Sequence, residues 1–320
     1  MQWARALYKK ALPLSFAFVI FAASISIAMQ NMEHLTVENS ISDLLAHPGL
    51  QDFASHMLPR AEDAKSSLRL KDIGRLMPWH SHIRPREIVD SLNRLVDDVA
   101  RGLPVFYSFS SQASLREQTG LFFFRGNPAA PFALICPGGG FRYVGSLHEG
   151  FPLAQYLSKQ GYNAFVLQYR IGGEKVACED MAQALSWIFS HASELDISTS
   201  DYSVWGGSAG ARMAADLGSY GSLALGGEDL PGPCAVIMAY TGHNWLTKGD
   251  PPTFSVVSED DPIASARVMK ERTDALKANG IPAEILIVKR SGHGFGLGTG
   301  TDADGWAAQA LKFWQKHMQG

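Results

Sequence analysis

At 320 residues and 34.8 kDa, with 46% hydrophobic and 18% charged residues, the chain has material for one large buried core with an extension, not two equal domains. Its formal net charge of −3 is spread over scattered acids and bases, which excludes both a basic nucleic-acid stripe and an acidic disordered tail. The three cysteines, Cys136, Cys178 and Cys234, fit no zinc spacing, and no His-Glu-x-x-His occurs. Buried free thiols are expected, with one disulfide left open.

The first 28 residues stand apart. Arg5, Lys9 and Lys10 precede an uncharged stretch from Ala11 to Ala28, and Ser26-Ile27-Ala28 offers small residues where a signal peptidase reads. That layout predicts a secretory signal peptide; uncleaved, the same stretch is long enough to be a membrane anchor. Either outcome puts the remainder outside the cytoplasm, periplasmic or secreted, with membrane contact only through an uncleaved anchor.

Residues 29–104 read as a helical extension. Ile88, Leu92, Leu95, Val96 and Val99 recur at helical spacing between Pro85 and Gly102, so this helix needs a partner surface. Within Met77–Ile83, His80 and His82 stand beside Trp79 with no third metal ligand in view.

From residue 105 strands alternate with helices. Strands are expected at 105–109, 121–124, 132–136, 164–169, 202–205, 235–239, 254–257 and 284–288. Helices are expected near 148–160, 179–194, 209–220, 263–279 and 303–318. This pattern predicts an α/β fold, a mainly parallel sheet covered by helices on both faces, occupying 105–320. Ligands then bind at the carboxyl ends of the strands.

Four segments fall at those ends. The apolar run 132–136 leads into Pro137-Gly138-Gly139-Gly140, where backbone N–H groups can face a ligand; no Gly-Lys-Ser/Thr follows, which disfavours a phosphate loop. Trp205-Gly206-Gly207-Ser208-Ala209-Gly210 is a Gly-x-Ser-x-Gly between a strand and a helix, the form of a nucleophile elbow. Thr253–Val257 runs into Glu259-Asp260-Asp261-Pro262, and strand 284–288 is followed by Ser291-Gly292-His293-Gly294. The order serine, acid, histidine is that of α/β-hydrolases, unlike the chymotrypsin or subtilisin orders.

Cys136–Gly140, Glu149-Gly150, Tyr169-Arg170, Gly206–Gly210, Asp261-Pro262 and His293–Gly296 together resemble the bacterial α/β-hydrolase esterases related to acetyl-xylan and feruloyl esterases. The resemblance covers about residues 105–320. It implies ester hydrolysis through Ser208 as nucleophile, His293 as base and Asp261 as acid, with an oxyanion hole from the N–H groups of Ala209 and of Gly139 or Gly140. No metal or organic cofactor is implied. Asp260 competes for the acid's role, but Pro262 restrains Asp261, and the family carries its acid at this second position. Cys136-Pro137 stands where such loops often carry histidine, at no loss of backbone donors.

Candidate substrate contacts are Phe141 and Arg142 after the glycine loop, and His243 and Trp245 after strand 235–239, where a plain surface loop is the alternative. Glu149 at a helix start reads as a carboxylate stabilised by the helix dipole. The expected substrate is a small-molecule or glycan ester with a short acyl group, since no lid-sized apolar insertion separates Gly210 from His293. A serine peptidase on the same fold, or a non-catalytic binding protein that retains it, are the alternatives. Oligomeric state is not legible.

Overall fold

The computed structural model describes residues 32–110 and 112–319; the expected signal peptide or anchor at 1–28 lies outside them. Among the described residues no helix is long and apolar enough to cross a membrane.

Eight strands form one sheet: β1 (Phe106–Tyr107), β2 (Gly120–Phe124), β3 (Pro131–Cys136), β4 (Asn163–Gln168), β5 (Ser198–Gly207), β6 (Ala235–Ala239), β7 (Thr253–Ser258) and β8 (Ala283–Val288). Their order is β1-β2-β4-β3-β5-β6-β7-β8. Only the β1–β2 and β2–β4 pairs are antiparallel. Among the central strands, Phe-Ala-Leu-Ile-Cys of β3 and Ala-Val-Ile-Met-Ala of β6 are unbroken apolar runs and wholly buried, as a sheet covered on both sides requires.

The helices of this part are α4 (Phe151–Lys159), α5 (Glu174–Ser190), α7 (Ala209–Ala224), α8 (Ala266–Ala278) and α9 (Trp306–His317), with α3 (Ala113–Arg116) and α6 (Ala192–Leu195) as single turns; α1 (Ile41–Ala46) and α2 (Pro85–Ala100) precede them. From β3 the chain steps one way to β4, then back across β3 to β5 and on to β8. Right-handed crossovers put α4 on one face and α5, α7 and α8 on the other when the step direction reverses. That reversal sets the ends of β3 and β5 side by side, with Cys136 opposite Gly206. The glycine loop and the serine turn therefore leave the sheet as neighbours.

Differences from the sequence expectations are local. The leading strand shrinks to Phe106–Tyr107, and β5 extends back to Ser198. The helix expected at 148–160 opens as a π turn, Ser146–Gly150, before α4. Helix α5 starts earlier, at Glu174, because Gly172 and Gly173 adopt left-handed backbone (φ 123° and 147°) and admit the helix directly after β4.

Residues 32–104 combine α1, capped by Ser40 and Asp43, with three 3₁₀ turns (Ala54–Met57, Ala61–Lys65, Leu70–Leu76) and α2. The stripe of α2 packs against α4. Leu44, Met57, Ile73, Leu92 and Leu95 are fully buried in the same apolar cluster as the sheet. The extension shares the core of the sheet.

Candidate active site

Ser208 sits between β5 and α7 at φ 51° and ψ −113°. A non-glycine residue with positive φ costs on the order of 1–3 kcal/mol, and surrounding structure must hold it there. Its N–H donates to the Ala239 carbonyl at 2.9 Å. Any side chain at Gly210 would collide with the Cys136 carbonyl, and one at Gly206 with the backbone of Gly210. The glycine spacing is thus a packing requirement of the turn.

The turn aims Ser208 at His293. Oγ lies 2.9 Å from Nε2, and Nδ1 of the same ring lies 2.8 Å from Oδ2 and 3.1 Å from Oδ1 of Asp261. The Asp261 side chain is fully buried, and its Oδ1 also accepts the N–H groups of Ile263 and Ala264, both at 2.8 Å. Asp260 points elsewhere. It is exposed, and it accepts from Ser258 Oγ (2.5 Å) and from the N–H of Gly292 (2.9 Å), bonds that hold its carboxyl below the usual range. One neighbour faces the imidazole; the other ties down the loop that carries it.

Gly139 and Gly140, at φ 129° and 61°, bend the loop after β3. Among the described residues no backbone acceptor takes their N–H groups, and the N–H of Ala209, the first of α7, lacks an intrahelical partner by position. Tyr169 Oη braces the loop from behind, donating to the Pro137 carbonyl at 2.6 Å. Arg170 instead forks onto Asp180, at 2.7–3.0 Å.

Glu149 differs from the helix-dipole reading. Only 4% exposed, it lies beneath the glycine loop and accepts the Gly138 N–H. A side chain at Gly207 would meet its carboxyl at 2.6 Å. The third neighbour is His80, from the N-terminal segment, whose Nε2 lies 2.9 Å from Oε1. The pair is close but lies off the line of a good hydrogen bond, and neither atom has another partner. Burial raises the carboxyl of Glu149, yet His80 and the Gly138 N–H outweigh it and bring it down to about 2.

The space above Ser208 has two lobes. One, about 290 Å³, is lined by Phe141, Arg212, Tyr240, Thr241, Ile263 and His293 among others. The second, about 220 Å³, lies between Trp79, Gly140, Ile263 and His293, and also reaches Ser208. Of the four candidate contacts, only Phe141 lines a lobe. Arg142 is exposed outside both. Trp245 is 58% exposed and also outside them. His243 is an interior residue, pushed down to about 4 by burial and by Arg272 and Arg212.

Three wall residues were not among the candidate contacts. Arg212 was open to inference, because it follows Ser208 by four residues and so by one helical turn. Ile263 follows the acid by two. Trp79 stood out only beside His80 and His82, with nothing in the sequence tying it to Ser208. The thiols of Cys136, Cys178 and Cys234 are all free.

Against known proteins, a sequence model of the BD-FAE family matches residues 126–225. An acetylxylan esterase of Xylanibacter ruminicola is 23% identical over 226 residues, 60% of this chain. The chain spans 46% of that relative's length. Among solved structures, an acetyl ester-xyloside bifunctional hydrolase from Caldicellulosiruptor lactoaceticus aligns at a TM-score of 0.55 and 21% identity, covering 62% of this chain and 88% of the other. Esterase 2 of Thermogutta terrifontis aligns at 0.57 and 17%, covering 67% and 96%. The chain has the α/β-hydrolase fold. The N-terminal segment that supplies Trp79 and His80 lies before the part matched by the BD-FAE model.

Proposed function

We propose that this α/β-hydrolase is a serine esterase that cleaves short-chain carboxylic esters through an acyl-enzyme. One observation carries the reading: a strained serine 2.9 Å from an imidazole that is itself 2.8 Å from a buried carboxylate. In this reading His293 Nε2 takes the Ser208 proton as Oγ attacks the ester carbonyl. Asp261 holds the tautomer with Nδ1 protonated and stabilises the imidazolium. The tetrahedral oxyanion is met by the N–H of Ala209 and those of Gly139 or Gly140, each worth roughly 3 kcal/mol of barrier. His293 then returns the proton to the leaving alcohol, and water, deprotonated by the same imidazole, releases the acid.

Short acyl groups are favoured by the size of the lobes, about 290 and 220 Å³, which suit a small acid and one ring better than an extended chain. The likeness to an acetylxylan esterase and to a hydrolase of acetyl esters supports acetylated glycans as the substrate class. Export, the expectation from residues 1–28, suits such a polymer. Rates on p-nitrophenyl acetate, butyrate, octanoate and palmitate, together with acetate release from acetylated xylan, test the proposal. A maximum at acetate or butyrate is expected; a maximum at octanoate or beyond, or no ester turnover with brisk cleavage of a dipeptide anilide, overturns it.

A further inference from the structure

The stretch Trp79-His80-Ser81 lies in the N-terminal segment, yet it touches both halves of the catalytic geometry. Ser81 grips the base loop. Its Oγ lies 2.7 Å from the His293 carbonyl and 2.8 Å from that of Ser291, and its N–H points at the carbonyls of His293 (3.0 Å) and Gly294 (3.2 Å). The backbone contact is so tight that a side chain at Gly294 would meet His80 Cα at 3.0 Å. His80 reaches the other half. Its Nε2 stands 2.9 Å from the buried Glu149 carboxylate that accepts the Gly138 N–H. On its far side Nδ1 lies 2.8 Å from Tyr143 Oη, the hydroxyl that also accepts the Trp79 N–H at 3.2 Å. Tyr143 in turn leads back to the loop, its N–H bonded to the Gly139 carbonyl at 3.3 Å.

A loop of glycines has no side chains with which to hold itself. Its N–H groups are useful as oxyanion donors only if their direction is fixed before the substrate arrives. Glu149 fixes one peptide of that loop, and Glu149 needs a partner, because an isolated buried carboxylate is strongly disfavoured. His80 is that partner. A loop carrying the base has the same need, since about 1 Å of misplacement costs on the order of 100-fold in rate.

We propose that Trp79-His80-Ser81 is a positioning strap of the active site. His80 acts through Glu149 on the oxyanion loop, and Ser81 acts on the loop of His293. The segment 32–104 is therefore required for turnover, beyond its share of the core. The proposal rests on the assignment of Ser208 and His293 as nucleophile and base. Neither strap residue touches the reacting atoms.

The test uses the full chain with His80→Ala, His80→Gln and Ser81→Ala, read by the rate of fluorophosphonate labelling at Ser208, by kcat and KM on p-nitrophenyl acetate, and by thermal melting. Labelling reports the activated serine whatever the natural substrate, so it separates the strap from the ester reading. If the wild type labels but hydrolyses no ester, the function is wrong and the strap is still tested. His80→Ala should slow labelling and kcat by about 10- to 100-fold with KM within about twofold. His80→Gln, which returns an N–H donor toward Glu149, should restore most of the loss. Ser81→Ala should lower labelling and kcat by about 10-fold. Wild-type labelling and kcat in His80→Ala and Ser81→Ala overturns the strap. So does a Gln variant as slow as the Ala variant, with melting lowered in step, which would make His80 a packing residue only. Should His80→Ala fail to fold, the Gln and Ser81 variants decide by the same criteria.

Discussion

Ser208 is held by backbone geometry, and its side chain adds little to the fold. Ser208→Ala should keep the wild-type melting temperature and lose about four orders of magnitude or more in esterase kcat, measured on p-nitrophenyl acetate. Near-normal turnover would end the nucleophile assignment. At the acid, the two neighbouring aspartates separate cleanly by contact. Asp261→Asn removes the charge facing Nδ1 and favours the wrong tautomer, so a loss of about 10³- to 10⁴-fold is expected. Asp260→Asn disturbs only the bonds from Ser258 Oγ and from the N–H groups of Ser291 and Gly292, and should cost about 10-fold or less. Reversal of that order would move the acid upstream. The juxtaposition of Ser208, Asp261 and His293 was legible in the sequence because each sits in a short pattern whose reason is local: glycines that let a turn close, an acid before proline, a histidine between glycines. Glu149 was misread for the same reason. Its position at a helix start is local, whereas the loop and the turn that bury it come from other strands.

The strap belongs to the scale of elements, and there the sequence was silent. Ser81 meets His293 across 212 residues, and no periodicity or spacing links such distant segments. Helix α2 was visible from its apolar stripe; that the turn before it crosses the crevice depends on where α2 docks. Three residues of the N-terminal extension, Trp79, His80 and Ser81, thus reach the crevice. Trp79 is the exposed member, with 43% of its surface accessible, stacked on Tyr143 at 5.4 Å between ring centres. Its indole packs so close to Gly140 that a Cβ there would lie 2.7 Å from Cζ3. This makes it the wall of the smaller lobe. Trp79→Ala should lengthen that lobe and raise the octanoate-to-acetate ratio of kcat/KM several-fold, while Trp79→Phe should change it little, since a smaller aromatic still closes the wall. Equal ratios in wild type and Trp79→Ala would mean that the acyl chain lies elsewhere.

For the molecule as a whole, the alternation of strands and helices was legible because buried parallel strands are plain apolar runs. The charges enclosed by that packing were not, because burial of a polar residue is decided by the tertiary structure. Two such groups give opposite pH dependence. His243 is held down at about 4 by burial and nearby arginines, against about 6.5 for a free histidine. Its folded form resists a proton that the unfolded chain accepts, so stability present above about pH 6.5 is lost as the pH falls toward 4. Asp216 is raised to about 7 by burial and by Glu174 beside it. Here the folded state holds its proton more tightly than the unfolded chain does. The stability it contributes is present near pH 4 and is lost as the pH rises through 7. Variants isolate each slope from the carboxylates that titrate alongside. Relative to wild type, His243→Leu should gain melting temperature on going from pH 7 to 4.5, because Nε2 has no partner to lose and the leucine cannot take up a charge. Asp216→Asn should gain relative to wild type in the other direction, from pH 5 to 8, because the amide stays neutral where the carboxylate must ionise. Differential scanning calorimetry across that range measures both. A melting difference that stays constant with pH for either variant would show that its group carries the same proton affinity folded and unfolded, and would remove that residue from the account.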